Sequence, residues 1–151
     1  VKRVSVLVGM PTDDFINKTQ NMYDYFQIYD ASPSQIQQLK LMSGKKVIVA
    51  IKAKDQKAVD LHRQYIGVTD GFLFDGSSSY ETSSSFNWNY LKTVRSSFFL
   101  AGGIGIKNIS NALEISSKID ISSNLEEIEG KKSVKKINEF LLKVKEINEQ
   151  N

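Results

Sequence analysis

The stretch "KKVIVAIKA", residues 45–53, decides the fold. Val47 to Ile51 form an unbroken apolar run, mostly β-branched and too short for an ordinary helix. A strand with one face in water alternates apolar and polar residues. This one does not, so both of its faces are covered, as in a parallel sheet flanked by other structure. Upstream lie two further strand candidates, "RVSVLVG" (3–9) and "FQIYD" (26–30). Between them, "PTDDFINKTQNMYDYF" reads as a helix with Thr12 or Asp13 as its cap and Phe15, Ile16, Met22 and Tyr23 as its apolar positions. A second helix starts at Ser32, with Pro33 in the first turn and Gln35 three residues after the cap, a capping-box arrangement. Its apolar positions are Ile36, Leu39 and Leu41.

Downstream the alternation continues. "DQKAVDLHRQYI" (55–66) is helical, with Ala58, Val59, Leu61, His62 and Ile66 on its inner face, and "GFLFDG" (71–76) is a strand ending in Asp75. A polar loop, "GSSSYETSSSFNW", leads to a short helix around Leu91. Then come the strand "FFLAGG", the helix "IKNISNALEISSK", the strand "IDISSN", and a last helix from about Ser133 carrying Val134, Ile137, Phe140, Val144 and Ile147. About six β-then-α units in succession imply a parallel sheet with right-handed crossovers. The open doubly wound sheet and the closed (β/α)8 barrel both use this alternation, and both bind ligands at the C-terminal ends of the strands. Asp30, Asp75, Gly102, Gly103, Ser122 and Ser123 cluster at those ends.

The length of 151 residues allows one domain, 1–151, with a genuine core. The absence of cysteine excludes disulfides, thiolate metal sites and a cysteine nucleophile, and fits a cytoplasmic protein. No apolar run approaches the length of a membrane span, and the start carries no signal-peptide pattern. The net charge of +3 comes largely from "GKKSVKKINEFLLKVK", read as a solvated helix face. A nucleic-acid patch would need more arginines and interleaved aromatics, so neither nucleic acid nor membrane is an expected partner. The chain opens at Val1, directly inside a strand pattern and without a methionine.

From Phe72 onward, "FLFDG", "SFNW", "FFLAGGIG" and "IDISSNLEEIEGKKS" come in an order that resembles the second half of phosphoribosylanthranilate isomerase. That family has LLLD, GGxGxxFDW, LxGGL, DVSSGVE and PGxKD in the same order. Upstream, "VKRVSVLVG" resembles its VKRVGVFV strand, "FQIYD" its VQLHG, and "VIVAIKA" its VIKAI. The resemblance implies a TIM barrel of the (β/α)8 type, here incomplete. Val1 falls at the third strand, so that the first two units, on the order of 60 residues, are absent from this sequence. They would carry a K-x-C-G motif with the cysteine base and a substrate-holding arginine. The chain then reads as a fragment, or as a domain that lost its beginning.

The implied reaction is the Amadori aldose–ketose isomerisation of N-(5-phosphoribosyl)anthranilate in tryptophan biosynthesis, without metal or organic cofactor. It needs an acid to open the sugar, a base for the C2′ proton and a grip on the phosphate. By resemblance Asp75 is the acid, while Gly102, Gly103, Asp120, Ser122, Ser123 and Asn124 form the phosphate-binding loops. Read without the resemblance, Asp75-Gly76, the paired glycines and "SSN" are also common turn residues. Departures stand beside the matches. Tyr80, Glu81, Thr82 and Ser83 replace GGxG, Tyr29 and Asp30 replace the histidine and glycine of VQLHG, and Asn124 replaces a glycine. Glu81, if turned inward, would repel a phosphate.

His62 reads as structural or surface, Trp88 as packing the short helix onto the barrel, and the serine-rich loop as flexible and without a paired base. A catalytically silent homologue that binds a phosphate ligand or protein partner is one alternative. A different sugar-phosphate enzyme on the same scaffold is another. An open barrel should expose strand edges at Val1–Val8 and Ile119–Ser122 and associate with itself, so a homo-oligomer is a possible state.

Overall fold

The computed structural model describes residues 1–19, 21–76 and 86–150. Its parallel strands are β1 (Val4–Val8), β2 (Tyr25–Tyr29), β3 (Lys46–Lys52), β4 (Gly71–Asp75), β5 (Phe98–Ala101) and β6 (Lys118–Ile119). The helices between them are α1 (Asp13–Thr19), α2 (Pro33–Ser43), α3 (Gln56–Asp60) and α4 (Ile109–Ile115). The 3₁₀ turns Leu61–Tyr65 and Trp88–Thr93 precede β4 and β5 respectively. After β6 come a 3₁₀ turn at Ser123–Leu125, an antiparallel hairpin of β7 (Glu126–Ile128) and β8 (Lys131–Lys132), and the long α5 (Val134–Gln150).

Strand order separates the two architectures. The six-stranded sheet runs β1-β2-β3-β4-β5-β6, every pair parallel and every step to the adjacent strand. A doubly wound sheet reverses direction at a switch point, which places helices on both faces. Right-handed crossovers that always step the same way place every helix on one face. The result is barrel-type, and it is open, with β1 and β6 at its two ends.

The outer face of the sheet carries the main core. Phe26, Ile28, Val47, Val49, Ile51, Phe72, Phe74, Phe98 and Leu100 meet Ile16, Ile36, Leu39, Val59, Ile109, Ala112 and Phe140 from the helices. On the concave face, Tyr29, Ile48, Ala50, Leu73 and Ala101 form a second cluster with Tyr25 and Phe99 against it. Val47 to Ile51 are accordingly buried throughout, as the apolar run implied. The Ser32 capping box is present. The Gln35 amide donates to Ser32 Oγ at 3.3 Å and the Ser32 amide to Gln35 Oε1 at 2.8 Å. His62 is buried, its Nδ1 lying 2.8 Å from the Val59 carbonyl and its ring edge-on to Phe72 and Phe74. Trp88 packs against the core.

Five apolar expectations fail: Met22, Leu41, Leu61, Ile66 and Val134 are exposed. α1 ends at Thr19, which leaves Met22 in a turn. On α2, Leu41 follows the buried Leu39 by two residues, about 200° around the helix. α3 gives way to a 3₁₀ turn, whose period no longer brings Leu61 and Ile66 inward. Val134 occupies the first position of α5, ahead of its packed turns. "IDISSN" is also not a full strand: pairing stops at Ile119, one further amide bond runs from Asp120 to the Leu100 carbonyl, and the chain then turns away. Among the described residues no helix is long and apolar enough to cross a membrane.

Candidate active site

Asp75 closes β4. The sheet register sets it level with Lys52 on β3 and Ala101 on β5. Alternation along the strands puts these residues on the concave face, with Tyr29 at the end of β2. The Tyr29 hydroxyl donates to Asp75 Oδ2 at 3.1 Å. Ala50, on the strand between them, belongs to the same concave-face cluster as Tyr29. Asp30 follows with φ +52, a left-handed backbone at the position where the resembled family has a glycine.

The β5–α4 turn sits against Asp75. Gly102 has φ +88, and a Cβ there would lie 2.3 Å from the Gly76 nitrogen and 2.9 Å from Asp75 Oδ1. The group that approaches this backbone closely is therefore the chain itself. Gly103 follows with φ +63. Asn108 ties the turn shut: its Oδ1 accepts the Gly105 amide at 2.8 Å and its Nδ2 donates to the Gly103 carbonyl at 3.1 Å. Asn124 couples this turn to the next, donating through Nδ2 to the Ile104 carbonyl at 2.8 Å.

Beyond β6, Ser122 Oγ accepts from Lys132 Nζ at 2.8 Å, and Lys132 also pairs with Glu126. The Lys132 hydrogen bond, with a second from the Gly130 amide, holds the Glu126 carboxyl below the usual glutamate range. Asp120 is exposed, yet the surrounding protein strips enough water to raise its carboxyl. The charge of Asp75 raises it further, and Lys132 opposes. Burial pushes the Tyr29 phenol far above its ordinary range, with the charge and hydrogen bond of Asp75 adding to the effect, so it remains a neutral donor.

The structure thus gathers Asp75, Gly102, Gly103, Asp120, Ser122 and Asn124 at the C-terminal strand ends, with Ser123 opening the adjoining 3₁₀ turn. Tyr80 to Ser83, Glu81 among them, lie outside the described residues. Lys132 departs from the helix-face reading, because it sits on β8 and reaches Ser122. Its signal was the lysine of PGxKD, matched within "EGKKS". Lys52 was also missed, although it shares the two-residue period of Ile48 and Ala50. A hollow of about 660 Å³ lies at the opposite end, lined by Lys2, Val4, Tyr25, Gly71, Phe99 and Lys118. It is the uncovered concave face at the strand N-termini, far from these groups.

A one-directional parallel sheet with its helices on one face defines a (β/α)-barrel protein, and its charged groups and tight loops gather at the C-terminal strand ends. The N-(5'phosphoribosyl)anthranilate (PRA) isomerase family matches residues 1–143, and the chain belongs to that family. The N-(5'-phosphoribosyl)anthranilate isomerase of Petrotoga mobilis is 31% identical over 157 residues, covering 97% of this chain and 73% of that protein. The crystal structure of phosphoribosyl anthranilate isomerase from Thermotoga maritima superposes with a TM-score of 0.83 at 21% identity, over 97% of this chain and 74% of that one. A structure of monomers generated from the dimeric enzyme of that organism gives 0.77 at 20% identity, over 97% and 73%. At these identities the two structures establish the shared fold.

Proposed function

We propose that this chain supplies the acid and the phosphate grip of a cytoplasmic phosphoribosylanthranilate isomerase of tryptophan biosynthesis. The observation that carries the reading is the meeting of Asp75 with the Gly102 turn, beside the Ser122–Lys132 pair, in a chain of this family. The substrate is a small sugar phosphate, N-(5-phosphoribosyl)anthranilate. Asp75 protonates the furanose ring oxygen, the bond from that oxygen to C1′ breaks, and a Schiff base forms with the anthranilate nitrogen. Loss of the C2′ proton to a base, by resemblance the cysteine of the family's K-x-C-G motif, then gives the enol that becomes the ketose. The turn at Gly102–Gly103 and the turn at Ser122–Asn124 hold the phosphate, and Lys132 adds a positive charge beside them. Asp120 orients the substrate at the rim, close enough to Asp75 for the two charges to interact.

Turnover of freshly generated phosphoribosylanthranilate by the full-length protein tests this. Asp75→Asn is expected to lower kcat by about 100-fold or more, the usual worth of a positioned general acid. No turnover by the wild type, or an Asp75→Asn variant of equal rate, would sink the assignment. The replacement of the family's GGxG glycines by Tyr80, Glu81, Thr82 and Ser83 favours a second reading, a silent homologue that binds the phosphate without isomerising it. Saturable phosphate binding with no turnover would select that reading. The dimeric T. maritima relative also supports assembly with a second copy as a working state.

A further inference from the structure

Asn108 stands at the start of α4, where an asparagine ordinarily accepts a hydrogen bond from an amide of the first helical turn. Here its side chain makes no such bond. Both of its polar atoms reach back into the β5–α4 turn instead. Oδ1 accepts from the Gly105 amide at 2.8 Å, and Nδ2 donates to the Gly103 carbonyl at 3.1 Å. We propose that Asn108 is a positioning residue that turns the Ile104 amide toward the substrate phosphate. The inference rests on the phosphate grip proposed for this turn, and it adds the residue that sets the direction of a donor there.

The direction follows from the planarity of the peptide. In a trans peptide the carbonyl and the amide point opposite ways. The Gly103 carbonyl faces Asn108, so the Ile104 amide of the same peptide faces away from it. α4 packs on the outer face of the sheet through Ile109 and Ala112, which sends that amide toward the mouth. Among the described residues it donates to no group. The next peptide is held at both ends, its Ile104 carbonyl by Asn124 Nδ2 at 2.8 Å and its Gly105 amide by Asn108. On the other side of the turn, Gly102 lies against Gly76 and Asp75. A donor fixed in this way needs no ordering when the anion arrives. Asn108 is neutral, so replacing it by another neutral residue alters the geometry of the turn and leaves the charges of Asp75, Asp120 and Lys132 as they are.

The test is a titration of the full-length protein with inorganic phosphate, followed by backbone amide NMR, as wild type, Asn108→Ser and Ser116→Ala. Serine is a competent helix cap, so Asn108→Ser keeps the start of α4, while one short hydroxyl cannot span the two groups that the asparagine meets. Ser116→Ala is the control, because it removes the bond from Ser116 Oγ to the Phe98 carbonyl at 2.6 Å, at the other end of α4. In the wild type the Ile104 amide resonance is expected to move as phosphate binds, a readout that needs no variant. In Asn108→Ser, with a urea midpoint near that of the wild type, the phosphate Kd is expected to rise about tenfold, because the turn must then be ordered on binding. KM for phosphoribosylanthranilate rises by a similar factor and kcat changes little, the mark of lost uniform binding. Ser116→Ala moves neither Kd nor KM. An unchanged phosphate Kd in Asn108→Ser, the same rise in Ser116→Ala, or an unmoved Ile104 amide in the saturated wild type overturns the proposal. Weakened phosphate binding in Asn108→Ser without any wild-type turnover upholds the role of Asn108 while sinking the isomerase reading. Turnover with an unchanged phosphate Kd does the reverse.

Discussion

At the scale of single residues, Gly102 has two independent reasons to be glycine. Its φ of +88 disfavours any L side chain, and the Gly76 nitrogen would lie 2.3 Å from a Cβ. Gly102→Ala is therefore expected to destabilise the fold by about 3 kcal/mol, combining left-handed strain with a backbone clash. Gly44 is the comparison. Its φ is +64 but nothing lies within 4 Å, so Gly44→Ala should cost only about 1 kcal/mol. Urea midpoints of the two variants measure the difference, and equal losses would show that the close approach contributes nothing. The glycine pair was legible as a place that needs room. What occupies that room was not, because Gly76 is remote in sequence and is brought there by the β4–β5 pairing.

Among the elements, the start of α2 was readable to the residue because it is encoded locally. Ser32, Pro33 and Gln35 close its N-terminus, and the structure adds Gly44, which caps its C-terminus through an amide bond to the Lys40 carbonyl. Ser32→Ala removes one half of the capping box, and the expected loss is about 1 kcal/mol, read as a lower urea midpoint with an unchanged circular dichroism spectrum. An unchanged midpoint would mean that packing of Ile36 and Leu39 alone holds the helix. The segment after β6 was less legible. Charges spaced along "GKKSVKK" suit a solvated helix, but the helix starts only at Val134, and Lys131 and Lys132 belong to a hairpin. Lys132 then points at Ser122 rather than into open solvent.

For the whole molecule, the governing feature is an open sheet. β1 pairs only with β2, and Val4, Val6 and Val8 on its concave side are 39%, 58% and 57% exposed. Unpaired backbone groups on β1 together with those valines make a surface that recruits another strand. The isolated 151-residue chain is expected to associate in a concentration-dependent way, measurable by sedimentation velocity, and a monodisperse monomer across the micromolar range would refute this. The edge expected at Ile119–Ser122 is shorter than the sequence suggested, since β6 ends at Ile119. Charged substitutions at Val4 or Val6 should suppress association more than substitutions near Lys118, where the cation already lies over the Phe99 ring.

By itself the sequence determined the repeating β–α units, the doubly buried β3 and the N-terminal cap of α2. Periodicity and capping act over a few residues, so they are written into the neighbouring chain. Alternation alone left barrel and doubly wound sheet open, because both are made of the same units, and it was the family resemblance that pointed to the barrel. The tertiary structure shows the barrel order directly, since strand order is a property of all six strands together. The same holds for the site. Tyr29 and Asp75 are 46 positions apart, and their contact exists because three strands in register carry both side chains to one face. Asp75 was visible as a residue at a strand end, and its surroundings became visible only when the sheet was assembled.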